Sequence, residues 1–174
     1  MHSQTLEWLS RKVPAFGHLS DREKMAVVDF ALLWSFFESR CLDNNANMGR
    51  IRYYVRHLPE TLGASQVVQD LADYFKARYI ENGGYSFRYQ RLHLERSQNP
   101  EEVSRMLLGK GDSRETLAGC LGIIFRFRNN LFHGEKWEYE LQEQQDNFER
   151  STALLRWLME HNNAFEVDAP RRER

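Results

Sequence analysis

The stretch 117–131, LAGCLGIIFRFRNNL, decides the fold class of this 174-residue chain. At about 100° per residue, an apolar stripe with helical spacing runs through it, formed by Leu117, Leu121, Ile124 and Leu131. Arg128 lies in the middle of this stripe, and Arg126 lies on the opposite face. The stretch therefore predicts an amphipathic helix that points one arginine toward the core side.

The rest of the sequence also shows helical rather than strand periodicity. Ser20 and Glu23 form a capping box ahead of the apolar run 25–37, which marks the start of a long helix. Further helices are predicted over 48–58, 65–80, 113–131 and 137–162, with shorter pieces over 85–96 and after Pro100. Because no alternating strand pattern occurs, the sequence predicts an all-α fold.

The apolar run 25–37 also bears on the oligomeric state. Its only polar residues are Asp29 and Ser35. A helix that is apolar all round is buried on more than one side, so it lies at the centre of a bundle or is shared with a second subunit. A small bundle has little interior with which to cover such a helix, and we therefore expect a dimer.

Composition places the chain among globular proteins. Hydrophobic residues make up 41% and charged residues 28%, with a formal net charge of -1, which argues against a disordered chain and a strongly basic nucleic-acid-binding protein. Cys41 and Cys120 are far apart in apolar surroundings, which predicts reduced, buried thiols and a cytoplasmic protein. No apolar run is long enough to span a membrane. We expect one domain over 1–166 and a flexible charged tail over 167–174.

The segment 128–134, RNNLFHG, concentrates the candidate catalytic groups. A guanidinium on a core-facing stripe is costly unless it meets a carboxylate, a subunit boundary or a ligand phosphate; Asp29 and Glu38 are the candidate carboxylates. His133 is predicted near a helix end capped by Gly134, where the helix dipole favours a protonated imidazole. An arginine that holds phosphate and a histidine that transfers protons near neutral pH are the minimum for phosphodiester cleavage.

The spacing Arg-x4-His needs a further condition to form a site. On a straight helix Arg128 and His133 lie roughly 140° apart, so they converge only if the helix ends or bends, or if a second subunit completes the site. Three other pairs share the spacing but have an aromatic residue after the arginine and no glycine after the histidine: Arg52–His57, Arg88–His93 and Arg156–His161. We interpret these three as surface residues.

Residues 127–134, FRNNLFHG, resemble the Arg-x(4–6)-His motif of the HEPN domain family, including the polar residue after the arginine. The resemblance implies a HEPN-like antiparallel helical bundle with extra short helices, acting as a homodimer with both motifs facing one cleft. Many members are metal-independent endoribonucleases of toxin–antitoxin, abortive-infection and CRISPR-associated systems. The resemblance therefore implies RNA, a second copy and an antitoxin or defence-system protein as partners, with no metal or other cofactor.

The resemblance also implies roles for individual residues. Arg128 is expected to bind the scissile phosphate, His133 to act as general acid or base, and Asn129 to orient the arginine. Cleavage would use the 2′-hydroxyl of RNA and leave 2′,3′-cyclic phosphate ends. Candidate substrate-binding residues are Asn130, Lys136 and Glu38. Members paired with a nucleotidyltransferase antitoxin often carry tyrosine two positions after the histidine; Glu135 stands there, which leaves the type of antitoxin open.

Two other functions are compatible with the sequence. The chain could be a non-catalytic HEPN-like module that binds RNA or nucleotides or serves dimerisation. It could also be a structural adaptor with Arg128 sealed in an ion pair to Asp29 or Glu38, whereas a catalytic pair opens to a cleft. The Arg- and aromatic-rich segments 52–56 and 85–96 are candidate guides for single-stranded RNA, although a helix face with its aromatic rings turned inward is the favoured interpretation.

Overall fold

The computed structural model describes residues 3–97, 100–132, 141 and 143–162. This part of the chain consists of helices joined by short connections, which confirms the all-α fold class. In chain order the helices are α1 Gln4–Lys12, α2 Pro14–Gly17, α3 Asp21–Cys41, α4 Met48–His57, α5 Glu60–Gly63, α6 Gln66–Tyr79, α7 Phe87–Gln90, α8 Glu101–Leu107, α9 Ser113–Phe132 and α10 Gln145–His161. A 3-10 turn covers Leu94–Ser97, and two short strands, β1 (Ile80–Glu81) and β2 (Gly84–Tyr85), pair antiparallel.

Helix α3 begins where the sequence predicts it. Ser20 and Glu23 exchange the two hydrogen bonds of a capping box. The inner face of α3 packs on α10, where the rings of Phe30 and Phe148 stack with their centroids 4.8 Å apart. On the outer face, Leu32 is 67% exposed. The prediction that α3 is buried on more than one side is therefore wrong for a single chain, because the described helices cover only its inner face.

Helix α9 runs through the centre of the fold. Helices α4, α5, α6 and α8 pack around it, and residues 116–127 are buried without a break. At Gly119 a Cβ atom would lie 2.6 Å from the carbonyl oxygen of Glu102, so glycine permits the close approach of α8. The predicted amphipathic helix is wrong over this length, since core contacts reach α9 from both faces.

Neighbouring helices run in both relative directions. Helices α8 and α9 are joined by a short loop and run antiparallel, with Val103 beside Gly122. Helices α3 and α10 run parallel: Arg22 pairs with Glu149 near their starts, and the end of α3 contacts Asn162 just past α10. The expected antiparallel arrangement holds for the first pair and is wrong for the second.

Residues with left-handed backbone angles divide two of the predicted helices. The region 85–96 forms α7 and the 3-10 turn, separated at His93, which has φ 52°. The last helix, predicted from residue 137, begins after Glu143, which has φ 62°. Asn82, which precedes Gly83 and Gly84, has φ 51° and lies in the turn between β1 and β2. Such angles do not continue a helix.

A single hydrophobic cluster joins both ends of the described chain, from Phe16 in α2 to Met159 in α10. Cys120 is fully buried, Cys41 is half-buried, and both are free thiols. Burial raises the thiol pKa of each cysteine. The predicted tail, 167–174, lies outside the described residues. Among the helices listed above, none is long and apolar enough to cross a bilayer.

Candidate active site around Arg128

Arg128 lies in the last turns of α9, at the boundary between core and solvent. Its side chain is 29% exposed. One terminal nitrogen donates to the Asn129 side-chain oxygen at 3.0 Å, and the other reaches a Glu38 carboxylate oxygen at 3.4 Å. The guanidinium carbon lies 5.4 Å from the centroid of the Phe132 ring, which is the distance of a cation–π contact. The arginine is thus held in place but not sealed.

The carboxylate that contacts Arg128 is Glu38, one of the two candidates that the sequence offered; Asp29 was the other. Glu38 comes from α3, and the same oxygen that faces Arg128 also accepts a hydrogen bond from the Trp34 indole at 2.8 Å. Its other oxygen accepts from the backbone amide of Ala46 at 3.0 Å, in the loop between α3 and α4. With three donors around it, Glu38 is a fixed acceptor that positions Arg128.

This geometry bears on the expected role of Glu38 in binding substrate. A carboxylate next to a phosphate repels it, and the Glu38 side chain is only 15% exposed. The geometry therefore favours a role for Glu38 in orienting the guanidinium, and its role in binding substrate stays a prediction. Sequence reasoning named the residue but missed its anchor: Trp34 and Glu38 are four residues apart, a spacing that places two side chains on one face of a helix.

The guanidinium of Arg128 keeps unused hydrogen-bonding capacity. Its Nε is buried and has no acceptor within the described part of the chain. An arginine carries five N–H donors, of which the contacts to Asn129 and Glu38 use one on each terminal nitrogen. The second proton of each terminal nitrogen is left for another acceptor. A phosphate oxygen suits such a partly satisfied fork.

Asn129 lies where its expected role requires it. Its side-chain oxygen accepts from Arg128, and the residue is half-buried. An amide oxygen in this position fixes the direction of the guanidinium without cancelling its charge. The catalytic role of Asn129 stays a prediction.

Asn130 points the other way, into the core. It is 2% exposed, its oxygen accepts from Arg126 at 2.9 Å, and its nitrogen donates to the Arg91 carbonyl at 3.3 Å. Both ends of this amide are occupied inside the protein, on the face of α9 away from Arg128, and the role of Asn130 in binding substrate stays a prediction. The residue supports a buried arginine.

Arg126 is the buried arginine of α9, although the sequence pattern predicted that Arg128 would point toward the core. It is 3% exposed and donates to the Leu92 carbonyl at 2.9 Å, the Ser97 hydroxyl at 3.0 Å and the Asn130 oxygen. The segment 91–97 covers this face of α9. The signal available in the sequence was the i, i+4 pair of Arg126 and Asn130, which is typical of a side-chain hydrogen bond along a helix.

His133 and Lys136 lie outside the described residues, as do Gly134 and Glu135. The last described residue of α9, Phe132, lies directly before the predicted general acid or base, His133. Of the six predicted site residues, it brings Arg128, Asn129 and Glu38 together and places Asn130 on the opposite face.

Of the other Arg-x4-His pairs, Arg52–His57 and Arg156–His161 are exposed, as predicted, whereas Arg88 and His93 are half-buried. Arg52 forms an ion pair with Glu102, and the His57 ring lies over Tyr53 with centroids 4.1 Å apart. The two segments proposed as RNA guides do expose aromatic rings: Tyr53 is 57% exposed and Phe87 is 55% exposed. The favoured interpretation, with the aromatic rings turned inward, is therefore wrong for these two residues.

Comparisons with known proteins add no relative. No protein-family model matches the sequence, and no curated protein or solved structure gives a significant match. Within the part of the chain that the structure describes, no three histidine, cysteine or acidic side chains are grouped so that they could hold a metal ion.

Proposed function

We propose that this protein is a metal-independent endoribonuclease of the HEPN type, with Arg128 and His133 as its catalytic residues and Asn129 as an orienting residue. The observation that carries the proposal is the state of Arg128: a guanidinium held by Asn129 and Glu38, partly exposed, with donors left unused. Arg126 in the same helix shows the opposite pattern, because its Nε and both of its terminal nitrogens donate to acceptors inside the protein.

The proposed reaction is an internal transesterification of RNA. His133 removes the proton of a 2′-hydroxyl, and the 2′-oxygen attacks the adjacent phosphorus while the bond to the 5′-oxygen breaks. The leaving oxygen takes a proton from the protonated histidine or from water. Arg128 stabilises the negative charge on the non-bridging oxygens as it develops. The products are a 2′,3′-cyclic phosphate and a 5′-hydroxyl, so DNA is not a substrate.

Family members with this motif act as homodimers, and we expect the same here. The expected setting is a toxin–antitoxin or antiviral defence system in the cytoplasm, with an antitoxin or defence-system protein as a possible partner. The α3 face with exposed Met25, Leu32 and Phe36 supports a second copy of the chain, because large apolar side chains grouped on one exposed face are typical of a contact surface.

One observation favours a second candidate, a non-catalytic HEPN-like module for RNA or nucleotide binding or for dimerisation. Glu38 partly neutralises Arg128 and is itself fixed by Trp34 and Ala46. An ion pair that must be broken before phosphate can bind weakens that binding. In this candidate Arg128 and Glu38 join α9 to α3 and have no role in chemistry.

The two candidates are distinguished by cleavage of a mixed-sequence single-stranded RNA in EDTA. We expect wild type to cleave and His133→Ala and Arg128→Ala to lose at least about a hundredfold in rate. His161→Ala is the matched control, because His161 has the same spacing to an arginine but is exposed at the end of α10, outside the candidate RNA-guiding segments, and it should retain full activity. A substrate with 2′-deoxyribose at the cleaved position should not react.

Cleavage that survives both Ala substitutions would contradict the assignment of the site. If the folded wild-type protein does not cleave but binds the RNA, and Arg128→Ala abolishes that binding, the non-catalytic module is the better description.

A further inference from the structure

The outer face of α3 carries a row of large side chains that the described helices leave in water. Met25, Asp29, Leu32 and Phe36 follow one another at spacings of four, three and four residues, which places them on one stripe about 17 Å long. Met25 is 49% exposed, Leu32 is 67% and Phe36 is 38%. Three large apolar side chains grouped around one carboxylate on an exposed helix face are typical of a contact surface.

A groove runs beside this stripe, between α3 and α10. It has a volume of about 390 Å³. Leu32, Leu33 and Phe36 line the α3 wall, and Thr152 and Arg156 line the wall from α10. The parallel packing of α3 on α10 forms the groove, because the two helices lie side by side along their whole lengths. The groove is thus part of the rigid core of the fold.

Two opposite charges stand in the groove without partners. Asp29 on α3 and Arg156 on α10 are both exposed, and neither forms an ion pair with any residue that the structure describes. By contrast, Arg22 and Glu149 pair directly between the same two helices, with donor–acceptor distances of 2.9 Å. The fold therefore joins opposite charges across α3 and α10 at one end and leaves them apart in the groove.

We propose that this groove is the surface through which two copies of the chain associate. A two-fold contact requires a patch that is complementary to itself. This patch has the required composition: an apolar stripe can pack against its own copy, and Asp29 of one copy can pair with Arg156 of the other, twice per dimer. The contact buries Leu32 at its centre, with Asp29 and Arg156 as the polar rim.

The proposed nuclease is also expected to be a dimer, and the groove between α3 and α10 is the surface that this dimer would use. The test of this surface does not require an active nuclease, because the oligomeric state is measured without RNA. A dimer that does not cleave RNA would contradict only the nuclease activity, and an active monomer would contradict the dimer and this surface but not the nuclease activity.

The test is sedimentation equilibrium of the full chain at several micromolar concentrations. We expect wild type to be a dimer and Leu32→Asp to raise the dissociation constant at least about tenfold, since a charge replaces a central apolar contact. Leu108→Asp is the matched control: Leu108 is 43% exposed at the end of α8, outside the groove, and its substitution should leave the dimer unchanged.

Charge reversal tests the pairing itself. Asp29→Arg alone places two arginines together, and Arg156→Asp alone places two aspartates together, so each should weaken the dimer about tenfold. The double variant restores opposite charges and should return to within about threefold of wild type. Because all three side chains are exposed, circular dichroism should show folded variants throughout.

Three results would overturn the proposal. If wild type is a monomer at every concentration, the groove does not join two copies of the chain and is open to another protein. A Leu32→Asp dimer as tight as wild type would place the interface elsewhere. A double charge variant no tighter than the weaker single variant would exclude the pairing of Asp29 with Arg156.

Discussion

Arg126 and Arg128 are two residues apart in α9, and their replacement by methionine should have opposite effects. Arg126→Met should destabilise the fold, because three acceptors lose their donor: the Leu92 carbonyl, the Ser97 hydroxyl and the Asn130 oxygen. Arg128→Met should leave the fold nearly intact and abolish cleavage of RNA. The contrast separates the arginine of the core from the arginine of the proposed site.

The expected magnitude follows from the contacts. Methionine fills much of the space of Arg126 but makes none of its hydrogen bonds, and a buried acceptor without a partner costs about 1–3 kcal/mol. Three such acceptors together give about 3–5 kcal/mol, the lower part of the threefold sum, because the substitution also removes the cost of burying the guanidinium charge. Arg128, 29% exposed and 3.4 Å from Glu38, should contribute about 1 kcal/mol or less.

Urea unfolding followed by circular dichroism measures both effects. With a dependence of about 2 kcal/mol per molar urea, Arg126→Met should lower the midpoint by roughly 1.5–2.5 M, and Arg128→Met by about 0.5 M or less. The nuclease assay is then run below both transitions. Equal shifts of the midpoint in the two variants would refute the distinction, and so would full activity of Arg128→Met.

Further predictions concern packing, pH and thiol reactivity. Gly119→Ala should lower the free energy of unfolding by about 1–3 kcal/mol, because a Cβ would lie 2.6 Å from the Glu102 carbonyl oxygen, and a fall in the thermal midpoint would show it. The hydrogen bond from Arg52 lowers the pKa of Glu102, so this pair stabilises the fold above pH 4.5 and the contribution is lost as the pH falls through the lowered pKa. Urea unfolding of wild type should therefore lose more stability below pH 4.5 than that of Arg52→Met, and identical pH profiles would contradict this. Cys41 and Cys120 should stay unmodified by iodoacetamide at pH 7.5 until the protein unfolds, since burial raises both thiol pKa values; mass spectrometry of the native protein tests it.

The sequence predicted the helices well because their end signals are local. The capping box of Ser20 and Glu23 fixes the start of α3, and Pro59 follows α4 within two residues. Both signals act over three or four residues and need no tertiary contact. The left-handed angles at His93 and Glu143 are different, because those residue types carry no turn signal and their angles depend on what packs around them.

The burial of arginines could not be read from periodicity alone. A helical wheel of α9 puts Arg128 on the apolar stripe and Arg126 opposite to it, and this would predict burial correctly if only one face met the core. The segment 91–97 covers the second face and supplies carbonyl and hydroxyl acceptors to Arg126. That contact links positions about thirty residues apart, so no local pattern contains it.

The parallel packing of α3 and α10 has a consequence for how the chain is made. Arg22 and Glu149 are separated by 127 positions, and the last residue of α3 meets Asn162 across 121 positions. At about 5–20 residues per second, a ribosome needs roughly 6–25 s to deliver the partner of α3 after α3 itself. During that time Phe30 lacks Phe148 of α10, and for much of it Trp34 also lacks Phe125 of α9, so the nascent chain presents an apolar helix on both of its faces. We expect the interval before α10 emerges to be when newly made protein is most prone to aggregate and most dependent on chaperones.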